Sequence, residues 1–469
     1  MRQILPIILL LFAVPGKSAT FKQQADEVVS KVIAESGIDK KHFGIWVMQK
    51  DEASILNGDQ LFVPASLSKM PTALAFLNHF KMDQYFNTWV YKTGKIEDGV
   101  LKGDLYLKGG GDPSFVNESM WMMINKLKRS DIKKIEGQLY VDESYFDNDY
   151  YSEGRQKRRV DRAYDAPVGA LSFNWNTISI YVRPGLRAGQ AARVYLDPPV
   201  PFVKVVNSAK TGSDLKSSLK VERTSKNGEM QIRVTGTISQ KEEEKAFYKS
   251  IENPALWTGM NFKYFLNEFG IEYKGDIKKA VAPKEADVLV EYKSWDMGRI
   301  VKAMSKFSNN FVAEMLTKHL GKKEGIPASI DDGLDEINKF LAQKGWKAKE
   351  FSFVNPSGFT HNNKIRASQL GELLYHSLED FNFSPEFLAA LPISGTDGTL
   401  KKRMTQVMKG RVRAKTGYLT GVVSLGGYLQ SRTGNRPITF VFFYNGPYKH
   451  DWEVRALFDK ILWRLYQKS

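Results

Sequence analysis

Apolar residues at helical spacing open the folded part of the chain: Ala25, Val28, Val29, Val32 and Ile33 fall on one stripe and predict a helix. A strand is expected over FGIWVMQ, and a second helix after the serines of FVPASLSKMPTALAFLNHF, Phe62 to Phe80. Residues 85 to 285 have another texture. Short alternating runs (GQLYVD, ISIYV, EMQIRVTGTIS) between Gly, Asn and Pro predict β-rich inserted material. One helix, ALWTGMNFKYFLNEFG, interrupts them and stops at Gly270. From about Met297 helices return as MGRIVKAMSKF and NNFVAEMLTKHLG, joined near Ser308. GRVRAKTG, GVVSLGGYLQ and RPITFVFFYN then predict successive strands. In the last element Val454, Leu457, Phe458, Ile461, Leu462 and Leu465 share a stripe opposite a basic face. Packing on the preceding strands is the favoured use of that stripe, with peripheral attachment to the envelope membrane as the alternative. No repeat of fixed period occurs.

The chain has 469 residues, enough for two or three domains. Its first residues, MRQILPIILLLFAVPGKSA, have the parts of an export signal with a cut after Ala19, although Lys17 breaks the small-x-small pattern. The apolar run is too short to span a bilayer, so the mature chain is expected to be exported and soluble. There is no cysteine, which removes lipid anchoring through a thiol, thiol catalysis, zinc–thiolate sites and iron–sulfur clusters. The six histidines are scattered without ligand spacing, so no metal is expected. The formal charge is +16, or +14 without Arg2 and Lys17 of the leader, a balance that suits polyanions. Export argues against nucleic acid. The basic runs RQKRR (Arg155 to Arg159) and KKR (Lys401 to Arg403) are expected on the solvated surface, with contact to an envelope polyanion as the alternative.

Three short motifs carry candidate chemistry: S-x-x-K, S-x-N and K-T-G. Each also has decoys. S-x-x-K occurs at Ser66, Ser130, Ser213 and Ser217, S-x-N at Ser172, Ser225 and Ser308, and K-T-G at Lys92, Lys210 and Lys415. Only Ser66 opens an apolar helix, where unpaired N–H groups favour a developing oxyanion. Lys69 lies one turn on, within reach of the Ser66 hydroxyl. Among apolar neighbours its pKa is expected to fall, which would free the amine as a base. The bland alternative is that Ser66 caps the helix and Lys69 snorkels to water. Ser308 falls where two striped helices meet, but Ser308, Asn309 and Asn310 could equally be capping residues. Lys415 is read as closing a short strand, whereas Lys92 is read at a turn and Lys210 in a loop. A strand bearing Lys-Thr-Gly offers a cation and a hydroxyl to a substrate carboxylate, and its Gly admits an extended peptide at the edge.

In the order Ser66, Ser308, Lys415 behind an export signal, the chain resembles a low-molecular-mass class C penicillin-binding protein of the D-alanyl-D-alanine carboxypeptidase/endopeptidase family. GDLYLKGGGDPSF, APVGALSFNWNTISIYVRPG, NPSGFTHNNKIRAS and LPISGTDGTLKKR read like segments of that family. The resemblance covers essentially the whole mature chain. It implies an α+β multidomain protein: a penicillin-binding transpeptidase/serine β-lactamase-like domain, with a five-stranded antiparallel sheet flanked by helices beside a helical lobe. Two nested β-rich domains are inserted in it. The implied division is a signal over 1–19, a catalytic domain over 20–88 and 286–469, one inserted domain over 89–175 and 264–285, and another over 176–263. Carried over, Ser66 is the acyl-enzyme nucleophile and Lys69 its base. Ser308 relays a proton, Asn310 holds the substrate amide, and Lys415 with Thr416 binds the terminal carboxylate. Gly417 admits the peptide, and the N–H groups of Ser66 and Tyr418 form an oxyanion hole. The family commonly has Ser or Thr where this chain has Tyr418, which bears on carboxylate binding and on the exo/endo balance.

The resemblance implies a periplasmic hydrolase of peptidoglycan stem peptides, cleaving D-Ala–D-Ala termini, D-Ala–diaminopimelate crosslinks or both. It would be acylated by penicillins, with no metal or organic cofactor. A β-lactamase or esterase on the same scaffold is the near alternative, though an insertion of roughly two hundred residues is hard to explain in one. A basic, noncatalytic envelope-binding protein is another, and a Ser-His-Asp hydrolase using His361 a third, without a nucleophile elbow or nameable acid. The sequence leaves open the balance of activities and whether the protein forms a homodimer.

Overall fold

The computed structural model describes residues 19–155, 160–213, 216–226, 229–434 and 436–468. The expected leader lies outside these residues, apart from Ala19.

The two ends of the chain build one antiparallel five-stranded sheet. Its order is Glu52–Leu56, Phe43–Gln49, Ile438–Asn445, Val422–Leu429 and Val412–Leu419. The Lys415 strand is therefore an edge, and it continues past the lysine to Leu419 rather than closing there. All eight residues of Val422–Leu429 are buried, because helices cover both faces of the sheet. On one face lie the first helix, Phe21–Ser36, and the last, Asp451–Lys468, whose expected stripe of Val454, Leu457, Phe458, Ile461, Leu462 and Leu465 is wholly in the core. On the other face the helix Ala367–Ser377 packs against the strands of Phe43 and Ile438. Beyond it a helical lobe gathers Lys69–His79, Met297–Lys306, Asn310–Leu320 and Ile330–Gln343 around one core.

Gly371 lets the Ala367 helix approach the sheet. A Cβ placed there would stand 2.2 Å from the ring of buried Trp46. Gly371→Ala is expected to cost about 1–3 kcal/mol by overpacking, read as a lower urea midpoint; an unchanged midpoint would mean that the helix shifts freely.

The middle of the chain forms separate sheets with a core of their own. The larger has the order Ile277–Lys279, Leu139–Asp142, Leu105–Gly109, Asn87–Lys92, Asp287–Lys293, and smaller sheets hold residues 177–250. Its outermost pair, Asn87–Lys92 with Asp287–Lys293, joins the outgoing and returning chain. Two expectations change here. Lys210 lies in a short strand, Lys210–Gly212, rather than a loop. Arg155, read as solvated, is completely buried, and the rest of its basic run lies outside the described residues. Among the described residues no helix is long and apolar enough to cross a membrane.

Candidate active site

Ser66 sits in a 3-10 turn, Ala65–Ser68, and the α-helix proper begins at Lys69. The turn is under local strain: buried Ala65 has φ +48°. Neighbours hold it there. Ser68 Oγ accepts from Asn363 Nδ2 at 2.9 Å, and Thr72 Oγ1 lies 3.0 Å from both Ser68 O and Pro356 O. Gly358 presses so close that a Cβ on it would fall 1.9 Å from Ala65 O. The segment pressing on the turn is folded around the Asn355 carboxamide, whose oxygen accepts from Ser357 N at 3.0 Å and Gly358 N at 2.9 Å.

This packing seals Lys69 from solvent and surrounds its amine with three oxygens. Nζ lies 2.7 Å from Asn310 Oδ1, 2.6 Å from Ser357 O and 3.2 Å from Ser66 Oγ. Burial pulls its pKa from 10.5 to about 7. A neutral amine has two hydrogens, which the amide and carbonyl oxygens take up. Its lone pair is then left for the hydroxyl proton of Ser66, which is itself only half-buried. Snorkelling is thereby excluded for Lys69, and Ser66 makes no capping bond.

Ser308 and Asn310 arrive from the opposite wall. Asn309 is the cap of the Asn310–Leu320 helix, its side chain accepting from Val312 N at 3.3 Å. This releases Asn310, which accepts from Lys69 and donates through Nδ2 to Tyr164 O at 2.9 Å. Ser308 holds the left-handed conformation, φ +55°, and its hydroxyl accepts from Lys415 Nζ at 2.7 Å. Lys415 is wholly buried and also donates to Thr416 O at 2.6 Å. Burial, with Lys69 nearby, holds its pKa well below the usual lysine value.

The edge strand runs directly past Ser66. A Cβ on Gly417 would meet Pro64 O at 2.8 Å and Ser66 N at 3.0 Å, so only glycine fits there. Thr416 Oγ1 donates to Thr399 Oγ1 at 2.9 Å. Tyr418 is about half exposed, and its ring lies 4.5 Å from the Arg455 guanidinium, which also covers Trp452. Its bulk is engaged with the last helix. His361 is exposed and bonded to none of these groups, while Lys92 and Lys210 belong to the inserted sheets.

Sequence reasoning missed Ser357, Thr399 and Tyr164. Ser357 and Tyr164 act through backbone carbonyls, which carry no residue signature. NPSGFT and SGTDGT were visible only as segments of family likeness.

A profile of the D-Ala-D-Ala carboxypeptidase 3 (S13) family matches residues 25–462. The chain belongs to that family. A D-alanyl-D-alanine carboxypeptidase of Actinomadura sp. (strain R39) is 27% identical over 434 residues, covering 88% of this chain and 80% of the relative. Among solved structures, penicillin binding protein 4 of Haemophilus influenzae superposes with TM-score 0.76 at 22% identity, covering 94% of this chain and 98% of that one. A predatory endopeptidase of Bdellovibrio bacteriovorus superposes with TM-score 0.52 at 17% identity, covering 90% and 92%. The two superpositions show that the fold is shared over most of the chain.

Proposed function

We propose that the chain is an exported, periplasmic serine peptidase of peptidoglycan stem peptides, acting as a DD-carboxypeptidase, a DD-endopeptidase or both through a Ser66 acyl-enzyme. The observation that carries this reading is the Lys69 amine, buried, bonded to Asn310 and Ser357, and aimed at Ser66 Oγ. Lys69 takes the hydroxyl proton while Oγ bonds to the carbonyl carbon of the penultimate D-Ala. The N–H groups of Ser66 and Tyr418 receive the oxyanion. As the C–N bond breaks, Ser308 passes a proton to the leaving amine. Lys415 and Thr416 hold the terminal carboxylate, Gly417 lets the substrate backbone lie on the strand edge, and Asn310 orients its amide. Water then releases the acyl group. β-Lactams would acylate the same serine. In this reading residues 20–88 and 286–469 form the catalytic portion, and 89–175 with 264–285 and 176–263 form the two insertions. Strand Asp287–Lys293, which pairs with Asn87–Lys92 within the inserted sheet, belongs with the insertion instead, so the catalytic portion resumes after Lys293.

The test is incubation of the mature protein with benzylpenicillin, followed by intact mass and peptide mapping. The expected result is one adduct, on the Ser66 peptide. Its rate of formation should rise with pH through about 7, where Lys69 loses its proton. A rate flat from pH 6 to about 10 would remove Lys69 as the base.

A further inference from the structure

Arg155 begins a basic run, yet its side chain is among the largest completely buried in the protein. Its guanidinium contacts Glu314 Oε2 through Nη1, Asp165 Oδ1 through Nε at 3.1 Å, and the carbonyl of Ala166 through Nη2. Both ion-paired carboxylates are buried as well. Ions removed from water in this way are retained at a cost in desolvation that only close partners offset. Their placement therefore calls for a reason.

Both arms of the cluster end at Lys69. Glu314 stands one turn after Asn310 on the same helix, so the two side chains share a face. Asp165 follows Tyr164, whose carbonyl accepts from Asn310 Nδ2, and Asn310 in turn accepts from Lys69. Three charged groups on the surrounding elements act electrostatically on the Lys69 amine: Glu314 on the Asn310–Leu320 helix, Arg155 on the inserted segment and Lys415 on the edge strand. Burial is the main cause of the low Lys69 pKa. Glu314 opposes that effect by favouring the ammonium form, and Arg155 counters Glu314.

We propose that Arg155 is a positioning residue for acylation. By pairing with Glu314 it keeps the field of that carboxylate off Lys69, and through Asp165 it holds the Tyr164 carbonyl that orients Asn310. The inserted segment thus belongs to the catalytic apparatus. This inference rests on the function proposed above.

The experiment measures the pH midpoint of benzylpenicillin acylation in the full mature chain and in four variants. Glu314→Gln removes one of the two carboxylates paired with Arg155 and makes the cluster more positive by one charge, so its midpoint should fall by about one pH unit; Arg155→Met leaves both carboxylates without the guanidinium, and its midpoint should rise by a similar amount. Arg155→Lys retains the charge and should stay near wild type. The double variant Arg155→Met with Glu314→Gln removes both charges and should return to the wild-type midpoint. Opposite shifts are beyond a purely structural role, which would lower the rate without moving the midpoint. If Arg155→Met does not fold, Glu314→Gln against the double variant still decides. Midpoints that all coincide with wild type, or a double variant that stays with Glu314→Gln, would overturn the inference alone. A wild-type chain that forms no adduct would overturn the proposed function and this inference together.

Discussion

Ser66→Ala should form no penicillin adduct and should lose turnover of D-Ala-terminated peptides by a factor on the order of 10⁵ or more, the scale at which removing an acylating serine acts. The fold should survive. Ser66 Oγ makes one side-chain bond among the described residues, to Lys69 at 3.2 Å, it caps no helix, and it is only partly buried. The strained turn is held by Ser68, Thr72 and Gly358 instead. Thermal unfolding of the variant should therefore fall close to that of wild type, because the lost hydroxyl holds no structural bond beyond the one to Lys69. Intact mass with penicillin and the release of D-Ala read the two effects separately. An adduct persisting in Ser66→Ala would move the nucleophile elsewhere, with Ser308 as the next hydroxyl in the site.

Much of this architecture was legible because periodicity was strong where packing is two-sided or amphipathic. The stripe of the last helix came directly from its spacing, and the expected strand FGIWVMQ is found at Phe43–Gln49. The selection of Ser66, Ser308 and Lys415 from their decoys rested on the elements around them, and these three occurrences meet in one site. What stayed hidden depends on partners distant in the chain. Arg155 sits in a run of like charges, and nothing local reveals that Glu314, 159 positions later, will neutralise it in the interior. Asn309 and Asn310 were equivalent as caps on paper. Only the extended backbone of Asn309 gives it the cap and leaves Asn310 free for Lys69. Lys415 reads as the close of a short strand, whereas pairing with Val422–Leu429 carries the strand through Gly417 to Leu419.

Lys69→Met is the sharpest way to separate catalysis from stability at this site. Methionine has a similar length and fills the same apolar sheath, but it cannot accept the Ser66 proton. Acylation should slow by roughly 10²–10⁴, the range of a lost general base, and the limb rising through pH 7 should vanish with it. Stability should respond in another way. Between about 7 and 10.5 a lysine is protonated in the unfolded chain but neutral in the folded one. Unfolding therefore takes up a proton, and the Lys69 contribution to stability grows as pH rises across that window and is lost as pH falls towards 7. Lys415 adds a slope of the same sign, so the difference between wild type and Lys69→Met isolates the Lys69 share, up to about 1.4 kcal/mol per pH unit. Near pH 7 and below, the variant is spared the cost of a buried ammonium, while Asn310 Oδ1 and Ser357 O each lose a donor, at about 1–3 kcal/mol apiece. Relative to wild type, the variant should be least stable at high pH and should close the gap as pH falls. Urea unfolding at pH 7 and pH 9.5 reads this directly, and parallel curves at both pH values would mean that Lys69 keeps its proton in the folded protein and is not the base.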